Sequence, residues 1–372
     1  MRRIRKTIVP HALSSQHTHT HTNIKSLITL STMKKLLTIL SLCALGLTLL
    51  TCVGCTEDDN LALSNHDMKL QAVTKEVKAK KTTDKALLLV SFGSTWDKPQ
   101  QTFKKVQEAF KKKFPDRDLY FAFTSEICMT RCAQKGWNYY APKFYLEALG
   151  VAGYKDIAVQ SLHIVPGEEF LRIQNCIKDF RNDGEHPEFA KTTVYLAGPL
   201  LEGDDDCKTV AAELHKIYGK AVAENKLVSF MGHGNPENMN YGRGNARYHK
   251  IEEELQKLSP NYFVATVDME GNLVGDLIAR AKKAGKTEGT MLLHPLMSIA
   301  GDHANNDLKG GVDPKNPEEG SWRYEMNKAG YKCTLDDCTM NGLADYPAIV
   351  NVWVDHMTKA LADEPLYTPE ED

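Results

Sequence analysis

The sequence predicts an α/β protein of two lobes, each a four-stranded parallel sheet covered by helices. Three observations carry that prediction. Apolar runs of strand length alternate with segments of helical period from Lys85 to Ala362, the pattern of parallel strands joined by crossover helices. The alternation falls into two sets of four strand-helix units. The sets also rhyme: the stretch Leu88 to Ser94 is similar in kind to Leu227 to Gly234, and Leu162 to Glu169 is similar to Leu296 to His303.

In chain order, the apolar runs place strands at 86–92, 119–124, 157–164 and 193–197, then at 227–231, 262–267, 290–293 and 331–335. Helical periodicity places the intervening helices at 99–113, 142–151, 168–181 and 204–218, then at 246–257, 273–283, 322–329 and 347–361. Ligands of open parallel sheets bind at the carboxyl ends of strands. Two such halves facing one another make a cleft lined by the four rhyming turns.

Ahead of this body lie three segments. Residues 1–32, with His17, His19 and His21, precede a better start at Met33 and are read as an over-extended start without functional role. Residues 33–54 read as a secretory signal peptide: Lys34 and Lys35, an apolar run from Leu36 to Leu50, and small residues before Cys55. The run is about 15 residues, short of the roughly 20 that a membrane-spanning helix requires. It is similar to a bacterial lipoprotein signal with Gly54 before an acylated Cys55, so the chain is expected to be exported, as a periplasmic or outer-membrane lipoprotein. Residues 55–84 are then a polar tether, 85–222 the N-terminal lobe, 223–362 the C-terminal lobe, and 363–372 an acidic tail.

The 372 residues are 42% hydrophobic and 25% charged, which excludes a disordered, collagen-like or disulfide-dense chain. The first 54 hold seven Lys or Arg and no acid, leaving 39 basic against 48 acidic residues in the rest. So acidic a body argues against a nucleic-acid partner, since phosphate binding relies on clustered cations. No Walker loop, GxGxxG or GxSxG occurs, and no nucleotide is expected. In an exported chain, Cys128 with Cys132 and Cys333 with Cys338 are candidate disulfides or buried thiols.

Three polar groups directly follow apolar strands: His233, the acidic pair Asp268 and Glu270, and His303. Two imidazoles and a carboxylate suit a divalent first-row metal. Gly232 and Gly234 flank His233 and remove side-chain bulk, which would let a flat ligand approach the backbone. His163 stands between cleft wall and core, whereas His294, before Pro295 in an apolar run, reads as a core histidine. His186, His215, His249 and His356 read as surface.

The runs at 88–93 (LLVSFG), 122–125 (AFTS), 160–164 (QSLHI), 231–234 (MGHG) and 295–307 (PLMSIAGDHANND) resemble, in order, the motifs of the anaerobic sirohydrochlorin cobaltochelatases, relatives of ferrochelatase in the class II chelatase superfamily. The resemblance covers residues 85–362 and implies two Rossmann-like lobes clasping a tetrapyrrole. It also implies a metal held by two histidines, matched by His233 and His303, and a glutamate. Counting from the strand selects Asp268 for that carboxylate; counting from Gly271 selects Glu270, which is preferred for its reach.

The implied chemistry is insertion of Co2+, or of Fe2+ or Ni2+, into a free-base tetrapyrrole, with His233 and Glu270 catalytic. The turn Phe92, Gly93 and Ser94, together with His163, Gly232 and Gly234, would hold the macrocycle, and Arg131, Arg172 and Arg243 are candidate clamps for its carboxylates. The expected partners are a tetrapyrrole (sirohydrochlorin or haem), a membrane reached through the lipid anchor, and further copies of the chain in a homo-oligomer. The alternative reading is a haem- or tetrapyrrole-binding lipoprotein that scavenges iron or cobalamin.

Overall fold

A computed structural model describes residues 64–240 and 243–367. The leader, Cys55 and residues 368–372 of the acidic tail lie outside the described residues. Among the described residues no helix is long and apolar enough to cross a membrane.

The first element corrects the expected tether. Residues Asn65–Lys80 form helix α1, opened by a reciprocal cap in which the Asp67 amide donates to Ser64 Oγ and the Ser64 amide donates to Asp67 Oδ2. Val73 and Val77 on its inner face are fully buried, which contributes about 2 kcal/mol each. A solvated tether has no such face. The stretch reads as polar because only a few apolar residues make the contact.

The N-terminal lobe runs β1 (Lys85–Ser91), α2 (Asp97–Lys113), β2 (Asp118–Phe123), α3 (Glu126–Gln134), α4 (Pro142–Val151), β3 (Asp156–Ser161), α5 (Glu168–Arg181), β4 (Thr193–Ala197) and α6 (Asp204–Ala223). Its strands form a parallel sheet in the order β2-β1-β3-β4. Strand β1 is central and buried from Ala86 to Ser91, so it reads as a continuous apolar run rather than an alternation. Helix α3 was not expected. It starts where the Cys128 amide donates to Ser125 Oγ, a local cap that outweighs its weak periodicity.

The C-terminal lobe runs β5 (Leu227–Gly232), α7 (Gly244–Leu258), β6 (Tyr262–Thr266), α8 (Val274–Lys283), β7 (Met291–Pro295), α9 (Trp322–Lys328) and α10 (Pro347–Ala362). Its sheet has three parallel strands, β6-β5-β7, which corrects the expectation of four. The stretch expected as a strand at 331–335 leads into a turn at Leu335–Asp337. There the Thr334 amide and hydroxyl both donate to Asp337 Oδ2, and that local cap lifts the chain off the sheet edge.

One apolar core joins the lobes: Leu87, Leu89 and Phe103 share a cluster with Val228, Phe230 and Tyr262. Helix α10 returns from the C-terminal lobe to pack on β3 and β4 of the other sheet, and its Trp353 Nε1 donates to the His163 carbonyl at 3.3 Å. The strand ends of the two sheets are thereby fixed relative to each other.

Candidate active site

His233 is the first residue after β5. Its position is set by the neighbouring strand: the Val267 amide donates to the Gly232 carbonyl (3.1 Å) and the Asp268 amide to the His233 carbonyl (2.9 Å). Gly234 then takes φ +78°, a left-handed conformation that glycine adopts without steric cost. Besides the approach of a flat ligand expected at Gly232 and Gly234, the structure gives both glycines a packing role. A Cβ at Gly232 would collide with the Tyr248 ring, and one at Gly234 would crowd Thr266 and Met269. These glycines let the turn pack against α7 and the loop after β6.

His303 stands in the turn after β7, just ahead of a single π turn at Ala304–Leu308. Its Nδ1 lies 2.5 Å from Asp307 Oδ2. The ring centroids of His233 and His303 are 4.8 Å apart, nearly perpendicular at 87°. Two imidazoles 70 residues apart in sequence thus meet.

The hydrogen bonds fix which nitrogen of each ring is available. His233 Nδ1 lies 2.9 Å from the Gly234 carbonyl, which only accepts, so Nδ1 carries the hydrogen. His303 Nδ1 donates to a carboxylate in the same way. In the neutral ring each Nε2 then keeps its lone pair, the arrangement that orients metal-binding histidines through their other nitrogen.

Of the two acids, Asp268 is the one beside an imidazole: its Oδ2 lies 3.6 Å from His233 Nδ1. Glu270 is exposed, and among the described residues its side chain has no hydrogen-bond or ion-pair partner. Asp268 touches the nitrogen already turned toward the protein, so in this arrangement it supports His233 from behind. Accordingly, no three His, Cys, Asp or Glu side chains among the described residues stand gathered as a closed cation site.

The N-terminal lobe carries the corresponding turn after β1. Phe92, directly after β1, is 42% exposed, whereas Ser94 is buried. Gly93 takes φ +108°, and a Cβ there would strike the Phe123 ring, so this glycine too serves the fold. His163 is buried, with Nδ1 3.0 Å from Ser161 Oγ and Nε2 lacking a partner among the described residues, and burial pushes it down to about 4. The structure therefore puts it on the core side. His294 is a core histidine, its Nε2 3.0 Å from the Tyr346 hydroxyl. His356 corrects the surface reading: it lies largely inside, 2.9 Å from Asp206.

A contact with no local signature spans the lobes beside His303. Trp96 Nε1 donates to Asp302 Oδ1 at 2.8 Å, and Arg131 Nη1 donates to Asp302 Oδ2 at 3.2 Å. The residue preceding His303 is thus tied to the loop after β1 and to α3. Arg172 is engaged by Glu168 and Glu169 of its own helix, so of these two candidate clamps Arg131 is the one in contact with the other lobe. Asp307, four residues after His303, was readable from spacing as a partner for that ring; Trp96 and Asp302, from opposite lobes, were not.

Residues 85–362 match the family model described as cobalt chelatase (CbiK). The chain is 29% identical over 280 residues to the sirohydrochlorin cobaltochelatase CbiKC of Nitratidesulfovibrio vulgaris, covering 75% of this chain and 92% of that one. It is 30% identical over 283 residues to the sirohydrochlorin cobaltochelatase of Salmonella typhimurium, covering 74% and 96%. Among solved structures, SirB from Bacillus subtilis with Fe3+ matches with a TM-score of 0.50 at 15% identity, over 75% of this chain and 96% of that one; at that identity the likeness concerns the fold.

Proposed function

Because this chain belongs to the cobalt chelatase family, which its residues 85–362 match, we propose that it inserts Co2+ into free-base sirohydrochlorin with release of two protons. The observation that carries the reading is the meeting of His233 and His303, with ring centroids 4.8 Å apart and each Nδ1 engaged by an acceptor. Their Nε2 atoms hold the incoming ion at the strand ends. The macrocycle lies against Phe92 of the facing lobe. Metal passes from imidazole to ring nitrogens as the two pyrrole N–H groups ionise, and an imidazole nitrogen freed of metal can accept a proton. Asp268 stabilises the charge that builds on His233, and Glu270 is the alternative carboxylate.

The leader supports export and a lipid on Cys55, which would hold this chemistry at a membrane surface. Labelling with a radioactive fatty acid tests that part: label is expected on the wild type and not on Cys55→Ala.

The reaction is tested by incubating the protein with sirohydrochlorin and Co2+, Fe2+ or Ni2+ and following the absorbance change, with haem titrated in parallel. Conversion by Co2+ that His233→Ala abolishes is the expected result. Tight haem binding without conversion by any of the three metals would transfer the chain to the scavenging role.

A further inference from the structure

Where a fourth strand was expected in the C-terminal lobe, the structure has a loop with a thiol near each end. The segment touches the β7 edge at two points, Thr290 with Lys332 and Leu293 with Cys338. Between them the chain swings out through the Leu335–Asp337 turn. Cys333 directly follows the first contact, and Cys338 is itself the second. Their sulfur atoms lie 4.0 Å apart, and the residues are only 3% and 7% exposed, within an apolar cluster that includes Met326 and Tyr331. Cys128 and Cys132, the other close pair in sequence, sit one turn apart on α3, where the Cys132 thiol donates to the Ser94 carbonyl.

We propose that Cys333 and Cys338 become a disulfide when the chain folds in the presence of a disulfide oxidant, and that this link staples the loop standing in for the missing strand. A continuous strand would be held by a ladder of hydrogen bonds. This edge is instead held at its two ends, and the link closes the base of the bulge between them.

The chemistry balances with a small disulfide RSSR or an oxidoreductase disulfide as the oxidant. One protein thiolate attacks RSSR and releases RS⁻; the second thiolate then attacks the mixed disulfide and releases the other RS⁻. Two protein thiols are oxidised to one disulfide, RSSR is reduced to two RSH, and the two thiol protons end on the released sulfurs. From 4.0 Å, side-chain rotation has to bring the sulfurs to the bonding distance of about 2.05 Å. In the folded chain, contact with Cys338 and burial push the Cys333 thiol well above its ordinary range, so the oxidant meets these residues during folding, while they are still accessible.

The test unfolds the full chain in reductant and refolds it in mixed reduced and oxidised glutathione. Free thiols are then alkylated in denaturant, and the peptides are mapped by mass spectrometry. The expected result is a peptide containing residues 333–338 that has lost two hydrogens and takes up alkyl groups only after reduction, while Cys128, Cys132, Cys176 and Cys207 are alkylated at once. The linked protein should also unfold at a higher denaturant concentration than the same protein reduced. Direct alkylation of both Cys333 and Cys338 after oxidative refolding, or pairing of either with another cysteine, overturns the proposal. The mapping uses the wild-type chain, so it stands even if Cys333→Ser or Cys338→Ser folds poorly, and it is independent of any chelatase activity.

Discussion

The turn after β1 and the turn after β5 have the same frame and different contents. In the N-terminal lobe the Thr124 amide donates to the Ser91 carbonyl and the Ser125 amide to the Phe92 carbonyl; in the C-terminal lobe Val267 donates to Gly232 and Asp268 to His233. On the other side of each central strand, Leu162 donates to Val90 as Leu296 donates to Met231. Each turn continues into a left-handed glycine, Gly93 or Gly234. Phe92 thus stands where its counterpart is His233, and Ser125 where the counterpart is Asp268. One scaffold presents an aromatic face from one lobe and a nitrogen donor from the other, a division of labour suited to a planar ligand on one side and a cation on the other. The frame also favours Asp268 over Glu270, because Asp268 holds the position that the ladder fixes.

The largest effect should come from making the second turn like the first. His233→Phe is expected to keep the fold and reduce Co2+ insertion by at least ~10²-fold, the scale of losing a positioned acid-base or ligand group; near-normal turnover would break the comparison. Next, Asp268→Asn should cost about 10- to 100-fold, as is typical when a group supporting a metal-binding histidine is removed. Glu270→Gln, which alters an exposed side chain, should stay within about twofold. The reverse order would return the carboxylate role to Glu270.

Smaller effects belong to the N-terminal lobe and its tie to Asp302. Phe92→Ala should raise KM for sirohydrochlorin about threefold to tenfold with little change in kcat, in line with the 0.5–1.5 kcal/mol of an aromatic contact; a change confined to kcat would contradict a holding role. Asp302→Asn loosens the tie to Trp96 and Arg131. Both ends of the ion pair are about half exposed, so at most about a fivefold loss in kcat/KM is expected, and added salt should reduce the difference.

Acid stability separates the lobes least. Burial holds His163 at about 4 and His294 at about 3, below the ordinary 6.5. As pH falls below about 6.5 the unfolded chain gains a proton at each site and the folded chain does not. The stability from keeping them neutral is therefore full above that pH and is lost down to about 4 for His163 and about 3 for His294, at about 1.4 kcal/mol per pH unit each. His356 runs the other way: burial pulls it down, but Asp206 more than compensates and leaves it raised. In urea unfolding at a series of pH values, His294→Gln should flatten the acid loss relative to wild type, whereas an unchanged slope would mean that His294 is already protonated in the fold.

How much of this was legible depended on the range of the interaction responsible. Strands such as 86–91 and 227–232 are predominantly apolar because both their faces are covered, and that pattern is visible in the residues themselves. His233 was readable because it directly follows an apolar strand, and His303 because it closes the loop after one. The turn at Leu335–Asp337 defeated the strand reading because a Thr334–Asp337 cap, a local signal, competes with weak β pattern. Helix α1 was hidden because a few side chains, Val73 and Val77 foremost, anchor it. The tie of Trp96 and Arg131 to Asp302 joins opposite lobes, and nothing in local sequence encodes such a contact.

The most direct measurement is a double-mutant cycle on Co2+ insertion with His233→Ala, His303→Ala and the pair together. If the two imidazoles handle one ion as a unit, each single substitution costs nearly as much as both, and the double variant is little worse than either. Losses that simply multiply, or a single variant that retains wild-type rates, would mean that the rings meet in space without sharing the metal.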